Sequence, residues 1–127
     1  MTVTEAPPAP ARRRAGAEAW SWLFMRVSGL LLLFLALLHF AITHIVNDVV
    51  DTDYSFVARR WDNPLWRVFD WALLALALGH GLNGVRWIVD DYVRSPRVRA
   101  ATKAAVYALA GGLFALGTLT IVTFEGV

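Results

Sequence analysis

The sequence predicts an all-α membrane protein built on three transmembrane helices. Three observations carry the prediction. Of 127 residues, 57% are hydrophobic, where soluble domains sit near 45–50%. The excess is gathered into three blocks, each long enough to cross a bilayer. Basic residues cluster on one side of those blocks. This pattern excludes a disordered chain, a coiled coil and an ordinary soluble enzyme, and the length allows one small domain. With Cys 0, disulfides, thiolate nucleophiles and iron–sulfur ligation are excluded too. The formal charge of +2 marks no nucleic-acid partner. The partner that the hydropathy marks is the lipid bilayer.

Residues 1–19, rich in Pro, Ala and Arg, read as a flexible basic tail. Residues 20–127 read as a single anchor domain. Its first span, about 22–47, holds one fixed charge in its apolar stretch, Arg26. From Val27 to Val46 a helix is roughly 30 Å long, the thickness of a bilayer core. This block starts late, is long, and ends in His44, Ile45, Val46 and Asn47 rather than a small-x-small exit, so it is expected to stay rather than be cleaved. The connection 48–63 is acidic and aromatic, and reads as a solvated loop. The second span, about 64–92, is the most polar, with Arg67 and Asp70 near one end and Arg86 near the other. The third, about 97–124, is uncharged from Ala104 to Phe124. In lipid such blocks satisfy their backbone as helices.

Charge sets the expected orientation. Arg12, Arg13, Arg14, Arg26, Arg94, Arg97, Arg99 and Lys103 fall on one side, and Arg59 and Arg60 on the other beside Asp48, Asp51, Asp53 and Asp62. The positive-inside rule then predicts a cytoplasmic N-terminus and an outside C-terminus. Trp20, Trp22, Trp61, Trp66 and Trp87 fall near the interfaces, as aromatic belts do.

Polar residues inside the membrane are expensive and turn toward protein or a cofactor. His80 lies among Gly79, Gly81 and Gly84, glycines that weaken a helix unless something approaches closely. It lies roughly 15 Å inward of Asp90. A neutral imidazole at that depth suits an axial haem ligand; an interhelical hydrogen bond fits the same residues. His39 is roughly 18 Å past Val27, which sets it level with His80 and leaves an intrachain bis-histidine haem open. A packing histidine is the simpler reading of His39. His44 reads as an interfacial histidine and no ligand.

His80, Gly84, Trp87 and Asp91 share one helix face, since eleven residues turn a helix to within about 20° of whole turns. Tyr92 follows at the surface. A phenol beside a carboxylate suits a quinone carbonyl and its protons; an aromatic-belt residue beside helix-end charges is the plainer account. Arg26 and Arg86 read either as snorkelling charges or as partners of a haem propionate or a quinone oxygen.

Those residues carry a resemblance. His80 and the Asp91–Tyr92 pair form His-x10-Asp-Tyr, with Gly84 inside it, and Arg26-Val27-Ser28 lies on the first span. Over residues 20–125 the chain resembles the D subunit, the smaller hydrophobic anchor, of succinate dehydrogenase (succinate:quinone oxidoreductase, respiratory complex II), most of all actinobacterial versions. The long acidic loop departs from the shorter versions of the family.

The resemblance implies a subunit without catalytic chemistry of its own. It would pack as a helical bundle with a C-type cytochrome b anchor subunit in a bacterial plasma membrane. His80 would be one axial ligand of haem b, shared with that partner. Tyr92 and Asp91 would serve the quinone, menaquinone or ubiquinone. Arg26 would lie near the haem propionates or the quinone, with Ser28 in the quinone vicinity. Flavin and iron–sulfur clusters would sit in two soluble subunits, passing electrons from succinate, a tricarboxylic-acid-cycle substrate, to the quinone pool. Two alternatives stay open: a small non-redox membrane adaptor or transporter accessory subunit, and a fumarate reductase anchor. The sequence leaves the oligomeric state of the complex open.

Overall fold

The computed structural model describes residues 12–125. Helix α1 (Arg12–Phe40) continues into a π-helical turn, Ala41–Val46. A 3₁₀ turn, Val49–Asp51, and a short helix α2 (Tyr54–Trp61) lead to α3 (Pro64–Tyr92) and α4 (Pro96–Thr123). Three of these helices are long and apolar enough to cross a membrane. Among the described residues there is no strand. The expected second and third spans start within a residue of the observed ones because proline occupies the first turn of each, where its missing N–H costs nothing. Asn63 caps α3 by accepting from the Leu65 N–H at 3.0 Å.

The first span differs. α1 begins at Arg12, inside the segment read as a flexible tail, whose residues 1–11 lie outside the described ones. Ala15, Ala17, Glu18 and Ala19 are good helix formers, and nothing in that stretch stops the helix.

α3 is the central helix, packed on α1 at one side and α4 at the other. Among the described residues only Val89 and Ile121 are buried apolar side chains, and only Ser28 and Thr43 are buried polar ones. The chain therefore has almost no apolar core of its own. In lipid, helices associate through close packing and polar contacts rather than a hydrophobic core, and this bundle follows that rule. A Cβ at Gly117 would lie 2.5 Å from Leu74 Cδ2, and one at Gly79 would lie 3.3 Å from Phe24 Cζ.

At the end of the bundle that carries α2, the expected solvated loop is instead a folded cap. Arg60 donates to Asp70 Oδ1 at 2.8 Å and Trp61 donates to Asp70 Oδ2 at 2.7 Å. Arg67 donates to the carbonyls of Trp61, Ile121 and Phe124 at 2.6, 2.7 and 2.8 Å, which satisfies carbonyls left open at the end of α4. Two of the three charges that made the second span look polar, Arg67 and Asp70, are thus the ones that fasten the cap. Asp53 caps α2 by accepting from the Phe56 N–H at 2.9 Å. That bond, with the Ser55 hydroxyl, holds its carboxyl below the usual aspartate value.

At the opposite, basic end, Lys103 of α4 pairs with Asp90 of α3, and Arg99 donates to the Val93 carbonyl at 2.9 Å. The register between α1 and α3 is fixed by Ser21 donating to Asn83 and Ser28 meeting His80. Glu18 shares a cleft with Asp90 and Asp91. The polar edge of α1 is therefore level with Glu18, and Arg26 lies eight residues, roughly 12 Å, further in. Counting depth from Val27 misplaced His39 for this reason. His39 sits beside Asp70, about 15 Å along the bundle from His80. His39 and His80 are not level, and an intrachain bis-histidine haem from this pair is excluded.

Candidate functional site

Ser21, Met25 and Ser28 recur at i, i+4 and i+7 on α1, a spacing that puts them on one face. That face meets α3 at Asn83, Gly84 and His80 in turn. Ser28, 1% exposed, is the most deeply buried side chain described. Its Oγ lies 2.5 Å from the Phe24 carbonyl and 2.9 Å from His80 Nδ1.

The proton arrangement follows from donor counting. A serine hydroxyl has one proton, and a carbonyl can only accept, so the Ser28 hydroxyl donates to Phe24. His80 Nδ1 must then carry a hydrogen and donate to Ser28. In a neutral imidazole that leaves Nε2 with a free lone pair. Gly29 makes room for this: a Cβ there would lie 3.3 Å from His80 Cε1. A Cβ at Gly84 would lie 3.7 Å from Met25 Cε, and one at Gly81 would meet open space. Two of the three glycines around His80, Gly79 and Gly84, are thus explained by the fit of α1 against α3.

Two clefts open toward the basic end and share Trp87. One, of about 350 Å³, is lined by Trp22, Met25, Arg26, Gly84 and Trp87. The other, of about 380 Å³, is lined by Glu18, Arg86, Trp87, Asp90 and Asp91. Arg26 stacks over the Trp22 ring at 3.9 Å, and among the described residues it makes no hydrogen bond or ion pair. Arg86 donates to Ser21 at 3.0 Å, while its Nε and Asn83 Nδ2 are buried without partners.

The structure thus brings Arg26 to the cleft floored by Gly84, and Asp91 to the neighbouring cleft. The shared face of Gly84, Trp87 and Asp91 is the wall along which both run. Tyr92 is not brought in. It is 81% exposed and lines neither cleft. Ser28, expected beside a quinone, is turned into the α1–α3 seam with its hydroxyl occupied. The role of Ser21 and Asn83 went unread in the sequence, although the serine spacing on α1 could have revealed the seam.

The other histidines differ. His39 Nδ1 lies 3.4 Å from Asp70 Oδ1 without hydrogen-bond alignment. His44 stacks on Phe40 at 4.6 Å, and its Nδ1 lies 2.7 Å from Thr43 Oγ1. Among the described residues no three His, Cys, Asp or Glu side chains converge. A metal on this chain would have to bring most of its own donors, as a porphyrin iron does. His80, with Nδ1 anchored and Nε2 free, fits that requirement.

Fold and site together define an integral-membrane helical subunit that offers an oriented imidazole between apolar helices. The comparisons make the class specific. Residues 5–119 match the family model described as succinate dehydrogenase/fumarate reductase transmembrane subunit, and the chain belongs to that family. It is 34% identical over 89 residues to a succinate dehydrogenase hydrophobic membrane anchor subunit of Archaeoglobus fulgidus, covering 68% of this chain and 74% of the relative. It is 30% identical over 79 residues to succinate dehydrogenase 2 membrane subunit SdhC of Mycobacterium tuberculosis, covering 62% of this chain. The chain spans little more than half of that relative, 57% of its length.

Proposed function

We propose that the chain is the smaller, D-type anchor of a bacterial succinate dehydrogenase, and that His80 Nε2 supplies one axial ligand of haem b. A C-type cytochrome b subunit supplies the other. Soluble flavoprotein and iron–sulfur subunits dock at the basic end, which faces the cytoplasm. The observation that carries this reading is the Ser28–His80 contact, which leaves Nε2 as the free nitrogen.

When bound, haem b would supply one-electron transfer. This chain's residues do the rest of the work assigned to it. Ser28 and Gly29 fix the imidazole ring. Arg26 presents a charge, unpaired among the described residues, at the Trp22–Gly84–Trp87 cleft, where a propionate carboxylate or a quinone carbonyl oxygen would accept from it. Asp91 stands at the mouth of the adjoining cleft. The Tyr92 phenol, without a partner among the described residues, donates to a quinone held between this subunit and its partners. That reading supports a quinone site completed by neighbouring chains.

The test is a tagged chain isolated with its complex. Copurification of a flavoprotein and an iron–sulfur protein, with a b-type band in the reduced-minus-oxidised spectrum, is expected. His80→Ala should abolish or severely perturb that band. A normal spectrum and haem content in His80→Ala would overturn the ligand assignment, and a complex with no b-type band would overturn the haem reading.

A further inference from the structure

We infer that Ser28 is a positioning residue for His80: it sets the imidazole's tautomer and the electron density at Nε2, and it is not a quinone contact. The inference rests on the proposed haem reading and goes beyond it, because it assigns Ser28 a role that ligation by His80 does not require.

The hydroxyl's capacity decides between the two roles. A quinone carbonyl needs a donor, and Ser28 has a single O–H, directed at the Phe24 carbonyl at 2.5 Å. Its oxygen receives the His80 Nδ1–H at 2.9 Å. With 1% exposure, no ligand can reach it from a cleft, and it lines neither of those beside Arg26 and Asp91. What remains is a relay of partial charge. The Phe24 carbonyl draws the hydroxyl proton, which makes Oγ a better acceptor, and Oγ in turn draws the Nδ1 proton. Hydrogen bonds in such a chain polarise one another, more so in a low-dielectric interior. An imidazole that donates from Nδ1 is the stronger base at Nε2, and a more electron-rich ligand favours the ferric over the ferrous state. Gly29 limits the ring's freedom on the same side, since a Cβ there would lie 3.3 Å from Cε1.

The role can be separated from simple packing by comparing three substitutions in the intact complex, with haem content and the haem b midpoint potential as readouts. Ser28→Ala removes the acceptor. Ser28→Cys keeps a group of similar size but accepts poorly. Ser28→Thr keeps the hydroxyl and its bond to the carbonyl four residues back. The midpoint is expected to move to more positive values in the alanine and cysteine variants and to stay at the wild-type value in threonine. The alanine variant should also hold haem about tenfold more weakly, the low end of the effect of such outer hydrogen-bond partners. If Ser28→Ala fails to retain haem, the cysteine variant decides. An unchanged midpoint in a haem-loaded alanine or cysteine variant overturns the positioning role while leaving ligation by His80 intact. Haem retained with a normal spectrum in His80→Ala overturns the ligation itself.

Discussion

The two ends of the bundle use the same ingredients to opposite effect. At each, a histidine on one of the helices α1 and α3 faces a polar residue on the other. At the α2 end His39 faces Asp70, and Asp70 already accepts from Arg60 and Trp61. Arg67 is held by three carbonyls, and the hollow beside it is walled by Val68, Trp71, Ile121 and Val122. Most of the polar groups there close on one another, with only Arg60 Nε and His39 Nδ1 left buried without a partner among the described residues. From mid-bundle toward the basic end, His80 is anchored by one nitrogen, and among the described residues Arg26 has only the Trp22 ring and Tyr92 has no partner. The difference teaches that membrane charges are not equally informative. Charges that satisfy each other hold the fold, and groups left half-satisfied by a chain with so little core mark where something else must bind.

The largest expected effect is the loss of haem b in His80→Ala, read from the reduced-minus-oxidised spectrum. His44→Ala should leave that spectrum intact, and if it does not, the division between the two ends fails.

Next is Asp70→Ala. It strands the Arg60 guanidinium and the Trp61 N–H in a cap where Arg60 and Asp70 side chains are only 9% and 13% exposed. Breaking a buried pair costs about 3–5 kcal/mol, seen as earlier thermal inactivation of the purified complex. The haem spectrum should hold, because the cap is about 15 Å from His80. Combining Asp70→Ala with Ser28→Ala should give additive losses of stability, as for distant sites without shared partners. A strong coupling would show that the ends act as one unit.

Tyr92→Phe removes only a hydroxyl. A lost bond to an oxygen where charge develops is worth roughly 2–4 kcal/mol, so quinone reduction should fall by one to a few orders of magnitude. Haem content should not change. Succinate oxidation with an artificial acceptor taking electrons from the soluble subunits isolates the quinone step. A wild-type rate would make Tyr92 a belt residue and move the quinone contacts of this chain to Arg26 and its cleft.

Smaller still is Gly117→Ala. The new Cβ meets the flexible end of Leu74, and overpacking of this kind costs about 1–3 kcal/mol. The smallest effect is in the α2 cap. Asp53 has its carboxyl value depressed below 3.8 by the Phe56 N–H and Ser55 hydroxyl. Its stabilisation of α2 is present in full above that value and is lost as pH falls through the lower, folded-state value. Hydrogen exchange of the Phe56 amide should stay protected at pH 5 and gain rate only in stronger acid, more so than predicted for the intrinsic exchange alone. Asp53→Asn should remove that acid dependence.

Much of this protein is legible from its chain. Hydropathy alone determines three spanning helices, because unsatisfied backbone in lipid leaves few other structures, and proline places the starts of α3 and α4. The spacing from His80 to Asp91 determines that they share a face, since helix periodicity is local geometry. What the sequence could not determine is register. Sliding α1 along α3 changes no hydropathy, so His39 looked level with His80, and Arg26 looked like the membrane edge. Only the Ser21–Asn83 and Ser28–His80 contacts decide that offset. The cap was hidden for a related reason: an acidic loop next to a span with Arg67 and Asp70 looks like solvated charge until the partners are seen together. Tertiary structure decided which nitrogen of His80 is free, because a tautomer is set by the atom across the seam and not by the residue itself.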